Sequence, residues 1–270
     1  MSSESVENSR VHRHKALKSQ VAARFGLKVA GYRQNAPVQQ KLLDHLLSQI
    51  MQYSAAEQQW ADFGCGDGSL ERKLLQQGWR GHMIGIDIAS RSLHFCRKGS
   101  KPSQSWVCGD AEHPPFKGSV FHGIVAASML QWTGHLDRTI GIIADLLNRD
   151  GFFMFSLFTD GSFLQLTETR KKLTLSPSVA YPPEATVKSL FKRSGFHFIS
   201  LTPFEETVHF RSARELLRHL SAIGSTGSTN RPLSRSGLDR FCSELENTYR
   251  RTEGVPLTFK ALYGTARKGG

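Results

Sequence analysis

The sequence lacks any run approaching the roughly 20 consecutive apolar residues that a membrane-spanning helix requires. Arg10, Arg13 and Lys15 lie near its start, but no apolar segment follows them, so we expect no secretory signal. These two absences predict a cytoplasmic protein that does not associate with membranes.

Cysteine is scarce, and its residues are scattered along the chain. The residues are Cys65, Cys96, Cys108 and Cys242, and no two of them form a C-x-x-C pair. This spacing is unlike a zinc site or a disulfide framework and predicts free thiols in a reducing compartment. We therefore expect no metal site.

Acidic residues are outnumbered by basic ones. The chain has 35 lysines and arginines against 23 acids, a formal net charge of +12 and a pI near 9.8. Such a charge attracts acidic partners at long range. The basic residues are dispersed and not interleaved with aromatics, so we do not expect nucleic-acid binding. An acidic protein partner accounts for the charge equally well.

Glycines, by contrast, are concentrated in one turn. A short apolar run enters the segment from Trp60 to Gly68 (WADFGCGDG), and a second apolar run ends on Asp87. Glycine permits positive φ and close approach of a ligand, and the helix that follows offers free N–H groups. An acid after the second strand can accept hydrogen bonds from ribose hydroxyls. The pattern predicts a nucleoside cofactor at the carboxyl edge of a parallel sheet.

The glycine spacing helps to choose the cofactor. A dinucleotide fingerprint needs G-x-G-x-x-G, but here the third glycine is Gly68, and Ser69 stands at the dinucleotide position. An NAD-dependent dehydrogenase is therefore the weaker alternative. Further along, Trp106–Ala111 resembles a third strand that ends on an acid, and residues 122–128 read as a fourth strand.

Together these motifs resemble class I S-adenosylmethionine-dependent methyltransferases. The resemblance implies that the glycine turn lies against the methionine part of the cofactor, that Asp87 binds the ribose, and that Ile88 packs on the adenine. The remaining cofactor-binding residues that it implies are Asp62, Gly64, Gly66, Gly68, Asp110, Ala111, Ser128 and Met129.

Alternating strand and helix patterns predict a Rossmann-like α/β fold, with a mostly parallel central sheet and helices on both faces. We expect a mobile basic tail over residues 1–20 and a single domain over residues 21–270. Its expected parts are two cap helices over 21–52 separated near Pro37, a cofactor-binding core over 60–158, a helical substrate lid over 160–235, and a helix and strand over 236–268. Residues 148–151 are predicted to stop a helix, and residues 196–201 and 206–210 are predicted to form two separate strands.

A narrower resemblance covers about residues 21–268. Phe25-Gly26 with Ala30-Gly31-Tyr32, the Leu-Gln-Trp at 130–132, the Leu-x-x-Ile-Gly-Ser-Thr at 220–226 and the Pro-Leu-Thr-Phe-Lys at 256–260 are similar to the malonyl-acyl-carrier-protein O-methyltransferases of biotin synthesis (the BioC family).

This resemblance implies methyl transfer from S-adenosylmethionine to the free carboxylate of a malonyl thioester, giving the ester that primes pimeloyl synthesis. The expected partner is the acidic acyl carrier protein, with malonyl-coenzyme A as a possible substitute. The resemblance implies positioning roles for Tyr32, Gln131 and Trp132. Arg211, Arg214 and Arg218 recur at helical spacing, and we expect them to form a docking rim.

One segment departs from that family. We expect an arginine near residues 173–181 to pair with the malonyl carboxylate, but this segment contains no basic residue. Lys171 or Lys172 reaches the carboxylate, or another part of the chain does, or the acceptor differs. A small-molecule acceptor of the quinone or natural-product type is therefore kept open. So is a nucleic-acid-binding protein with a vestigial site, although the intact glycine turn disfavours it.

Overall fold

The computed structural model describes residues 18–19, 22–176, 180–224 and 233–269. The predicted tail over residues 1–20 therefore lies outside the described residues except at 18–19, as do the Ser-Thr at 225–226 of the family-like segment.

The described chain forms one seven-stranded sheet in the order β3-β2-β1-β4-β5-β7-β6. The first five strands are mutually parallel, whereas β7 runs antiparallel to both of its neighbours. This mixed sheet matches the predicted architecture. The strands are β1 (Gln59–Phe63), β2 (His82–Asp87), β3 (Gln104–Cys108), β4 (Phe121–Ala127), β5 (Leu147–Phe158), β6 (Phe196–Phe210) and β7 (Val255–Lys268).

Helices cover the sheet and extend beyond its edge. Ala36 interrupts the helical run, and Pro37 begins the next helix, where its missing N–H is tolerated, so the predicted separation near Pro37 is confirmed. The helices are α1 (described over 22–35), α2 (Pro37–Tyr53), α3 (Ser69–Gln76), α4 (Ser90–Arg97), α5 (Leu136–Leu146), α6 (Leu164–Lys172), α7 (Glu184–Arg193), α8 (Ala213–Ala222) and α9 (Arg235–Tyr249).

Apolar side chains form three clusters. One joins α5 and α7 to a sheet face through the ring of Phe191, which stacks on Phe153 at 5.4 Å between centroids. A second joins α2 and α3 to the opposite face. The third packs α6, α8 and α9 around Phe259 of β7. Of the predicted lid, α7 thus covers a sheet face, while α6 and α8 join α9 in a separate layer.

Two boundaries differ from the prediction. Residues 196–210 form one continuous strand, because β6 is an edge strand, where a proline such as Pro203 can direct its missing donor away from the ladder. Strand β5 begins at Leu147, before the predicted helix stop. The register shifts between the pairs Phe121–Leu147 and Gly123–Phe152, so the polar residues 148–151 form an irregularity within the strand.

Close packing of β6 on β7 leaves no room for a side chain at Gly264. A Cβ added at Gly264 would collide with the backbone carbonyl of Ser200, whereas a Cβ at Gly141 in α5 meets nothing within 4 Å. We expect Gly264→Ala to lower the free energy of unfolding by about 1–3 kcal/mol. Gly141→Ala, as the control, should raise it by about 1 kcal/mol because alanine favours helix. Urea unfolding measures both, and equal effects would contradict this packing.

Candidate active site

A cavity opens where β1, β2 and β4 end, beneath α1 and beside α2. Many of the predicted site residues line it: Tyr32, Asp62, Gly64, Gly66, Asp87, Ile88, Asp110, Ala111, Ser128, Met129 and Trp132. The other predicted residues are not among the described residues that line the cavity: Gly68, Gln131, Lys171, Lys172, Arg211, Arg214 and Arg218.

The glycine turn is held between β2 and the segment after β4. The amide of Gly64 donates to the Ile86 carbonyl at 2.7 Å. Gly64 has φ +80°, and a Cβ there would collide with Met129, so only glycine suits both the conformation and the contact. Gly68 lies behind the cavity, where it packs against Cys96 and Trp106 and precedes α3. It therefore shapes the turn without lining the cavity.

Asp87 locks the turn to the start of the next helix. Its Oδ2 accepts from the Gly66 amide at 2.9 Å, and its Oδ1 accepts from the Ala89 amide at 2.7 Å. Burial raises the pKa of Asp87, and these two hydrogen bonds oppose the rise. A carboxylate has about four acceptor positions, so two remain for a ligand.

Asp62 lines the cavity and keeps one carboxylate oxygen without a partner in the described part of the chain. Its side chain is buried, and its Oδ1 has no hydrogen-bond partner among the described residues. Burial, followed by the charges of Asp87 and Asp67, raises the pKa of Asp62 to about 8. An unpaired acid with these neighbours favours a cationic ligand.

Sequence reasoning overlooked Asp67, which lies inside the glycine turn. It is buried and lines the cavity, and its Oδ1 accepts from the Ser69 amide at 3.1 Å. Its Oδ2 lies 3.5 Å from nitrogens of both Arg33 and Arg72. Its place between Gly66 and Gly68 is the signal in the sequence that points to it.

A second overlooked group lies at the Asp110 end. The Lys18 amine lies 2.5 Å from Asp110 Oδ2 and also pairs with Glu112. Buried Glu112 accepts from the amides of Gly134 at 3.2 Å and His135 at 3.0 Å, which ties the end of β3 to the segment after β4. Lys18 and Asp110 are 92 residues apart, so no local pattern could have joined them.

Aromatic rings close the cavity from above. Phe25 packs edge-on against Tyr32, with centroids 5.9 Å apart, and against Trp132 at 5.5 Å. Burial, then the charges of Asp67 and Asp87, raises the pKa of Tyr32, so its hydroxyl remains protonated and can donate. At the end of α8, Gly224 lies against the Phe25 ring.

Gln131 supports the cavity wall from behind. Its amide nitrogen donates to the Ser128 carbonyl at 2.7 Å, whereas its buried Oε1 has no partner among the described residues. Ser128 itself adopts φ +52° and donates its amide to the Ser156 carbonyl at 2.9 Å. The positioning role predicted for Gln131 stays a prediction, and it would act through Ser128.

Three of the basic residues suggested for the acceptor and the partner have contacts with other parts of α8 and α9. Lys172 Nζ lies 2.5 Å from Glu244 Oε1 on α9. Arg214 pairs with Asp239, and Arg218 Nε donates to the Arg214 carbonyl at 3.4 Å. The two ion pairs join α6 and α8 to α9, whereas the Arg218 hydrogen bond lies within α8, and none of these residues lines the cavity.

Comparison with known proteins identifies the class of site. Residues 61–155 match a family described as a methyltransferase domain. The malonyl-[acyl-carrier protein] O-methyltransferase of Bacteroides fragilis is 29% identical over 263 residues, covering 92% of this chain and 50% of the relative. The enzyme of the same name from Geobacter sulfurreducens is 26% identical over 254 residues, covering 88% of this chain and 94% of the relative. The chain thus spans half the length of the first relative.

Solved structures agree on the fold. A Bacillus halodurans protein assigned as a methyltransferase superposes with a TM-score of 0.62 at 14% identity, over 83% of this chain and 99% of the other. These comparisons confirm the class I methyltransferase fold, the methyltransferase class and the resemblance to the malonyl-carrier-protein enzymes. Among the described residues, no helix is long and apolar enough to cross a membrane. All the cysteines are free thiols, as predicted.

Glu71, in the first turn of α3, makes the stability of the folded chain depend on pH. It is buried, and neither carboxylate oxygen has a partner among the described residues. Burial, followed by the charge of Asp62, holds the pKa of Glu71 well above its usual range. The folded chain therefore keeps a proton that the unfolded chain loses. Its stability falls as pH rises from the ordinary glutamate pKa toward the raised one.

We expect Glu71→Gln to mimic the protonated acid and to melt at a higher temperature than the unaltered protein at pH 8, with a smaller difference at pH 5. Exposed Glu253→Gln serves as the control and should change neither melting temperature. Thermal unfolding at both pH values provides the measurement. If the advantage in melting temperature of Glu71→Gln over the unaltered protein is instead smaller at pH 8 than at pH 5, the acid is ionised in the folded chain.

Proposed function

We propose that this chain transfers a methyl group from S-adenosylmethionine to the free carboxylate of a malonyl thioester, carried on acyl carrier protein or coenzyme A, in biotin synthesis. The observation that carries the proposal is the cavity at the sheet edge, where Asp62, Asp87 and the glycine turn meet, in a chain resembling enzymes named for this reaction.

The cavity suits the cofactor in three places. The free acceptor positions of Asp87 suit ribose hydroxyls, and the unpartnered Oδ1 of Asp62 suits the α-ammonium of the methionine end. Ile88, exposed at the rim, suits one face of the adenine, with Ala111 and Asp110 at its edge. When bound, the cofactor supplies a sulfonium methyl group that an oxygen nucleophile can take.

The reaction asks little acid–base chemistry of the protein. A carboxyl group with a pKa near 4 is already ionised at neutral pH, so its oxygen needs no general base. The work left to the chain is to align the acceptor and to exclude water. Phe25, Tyr32 and Trp132 suit that task, because they roof the cavity with rings and leave the Tyr32 hydroxyl as a donor.

The product explains why such a reaction is useful. Moving an ionised carboxylate into an apolar channel costs several kcal/mol or more unless it is paired. A methyl ester has no charge, so enzymes that elongate apolar acyl chains can then accept the masked group. The net charge of +12 would favour an acidic carrier protein. Arg211 and Arg218 remain candidates for its docking rim, while Arg214 is weakened as one by Asp239.

A second candidate is methylation of a small molecule such as a quinone or natural product. One observation favours it. Among the described residues that line the cavity, Lys18 is the basic one, and Asp110 and Glu112 already pair with it. A malonyl carboxylate would then rely on neutral donors such as Tyr32 and Trp132.

The test is intact-mass analysis of malonyl-acyl carrier protein after incubation with the protein and S-adenosylmethionine. We expect a gain of one methyl group that mild ester hydrolysis removes, and no change to acetyl-acyl carrier protein, which has no free carboxylate. Malonyl-coenzyme A, run alongside, reports how much the carrier contributes. An unchanged malonyl carrier, with S-adenosylmethionine binding intact, would reject this acceptor and favour the second candidate.

A further inference from the structure

Gln39 is a largely buried glutamine at the edge of the cavity. It is the third residue of α2, its side chain is only 9% exposed, and it lines the cavity. The Gln39 amide has no hydrogen-bond partner among the described residues. On the same helix, Gln49 donates to Ser200 Oγ at 3.0 Å and accepts from Thr265 Oγ1 at 2.5 Å. The Gln39 amide is not among the fully enclosed unpartnered groups of the described residues, so it is open to the cavity and free to bind a ligand there.

The charges around the cavity limit what that ligand group can be. Its described lining carries many carboxylates, and its lysine, Lys18, is held at the Asp110 end. The acidic lining residues are Asp62, Asp67, Asp87, Asp110 and Glu112. A cationic group suits this lining because it can pair with the carboxylates. An anionic group is repelled by them and needs an uncharged hydrogen-bond donor. The NH₂ of Gln39 is such a donor.

The packing of α2 places Gln39 at one end of the cavity. This helix contacts α3, β4 and β5. Leu43, one turn after Gln39, lines the cavity and shares an apolar cluster with Leu70 of α3 and Val125 of β4. Gln39 therefore lies on the side of the glycine turn and the end of β4. The residues assigned to adenine, Ile88 and Ala111, belong to the ends of β2 and β3.

We propose that Gln39 binds the α-carboxylate of the methionine end of S-adenosylmethionine, while Asp62 binds its α-ammonium. This assignment rests on the proposed cofactor and on no particular methyl acceptor. The position of Gln39 in the first turn of α2 is consistent with this, because the N-terminal end of a helix carries partial positive charge. Gln39 thereby recognises the amino-acid part of the cofactor and helps to position the sulfonium.

Two ligands separate this role from a structural one. S-adenosylhomocysteine contains the amino-acid end, and 5′-methylthioadenosine lacks it. We expect Gln39→Leu to weaken calorimetric binding of S-adenosylhomocysteine roughly ten- to a hundredfold, as for the loss of a hydrogen bond to a charged group. Binding of 5′-methylthioadenosine should be unchanged. Gln39→Glu would place a carboxylate next to the carboxylate of the ligand and should weaken the binding of S-adenosylhomocysteine further. The control is Gln52→Leu, at an exposed position on the same helix.

Three outcomes would overturn the assignment. If both Gln39 variants bind both ligands as the unaltered protein does, Gln39 does not contact the cofactor. If both variants lose both ligands equally, Gln39 supports the cavity itself. If the unaltered protein binds neither ligand, the proposed cofactor is wrong and this assignment fails with it. Failure of malonyl methylation alone would leave all these binding results intact.

Discussion

The structure depends on a concentration of carboxylates at one end of a parallel sheet. Asp62, Asp67 and Asp87 converge on a single glycine turn, with Glu71 behind it. Burial, followed by the charges of Asp87 and Asp67, raises the pKa of Asp62, and each ionised acid in such a poorly solvated site needs a donor. Backbone amides satisfy Asp87 and part of Asp67, while Asp62 keeps an unpartnered oxygen. A cationic ligand would relieve that imbalance, so the same arrangement that lowers stability prepares the site for binding.

The rest of the fold serves this edge. Parallel strands bring the acids of β1 and β2 together, and positive φ at the glycines lets the backbone amides turn inward. Helix α1 covers the cavity with aromatic rings, and the end of α8 packs against that cover. The layer of α6, α8 and α9 has an apolar cluster of its own, which reaches α2 and borders Tyr32 at the cavity. Folds of this kind vary their substrates in such layers.

Local signals predicted much of this arrangement. The strand–helix alternation, the glycine turn and Asp87 all follow from neighbouring residues, and the structure places them where expected. The sequence could not reveal Lys18 at Asp110 or Gln39 beside the turn, because those groups meet only when distant segments pack. The break predicted within β6 was wrong for a related reason: Pro203 disrupts a central strand but not an edge strand. Lys172 had a suitable charge and position in sequence, yet Glu244 of α9 engages it.

Proton release on cofactor binding tests this account most directly. Asp62, with a pKa of about 8, is largely protonated in the free protein at pH 7 and must ionise to pair with an α-ammonium. Calorimetric titration of S-adenosylhomocysteine at pH 7, in buffers of different ionisation enthalpy, measures the protons exchanged. The account predicts net release by the unaltered protein and none by Asp62→Asn. Binding that releases no proton, or the same release from Asp62→Asn, would contradict it.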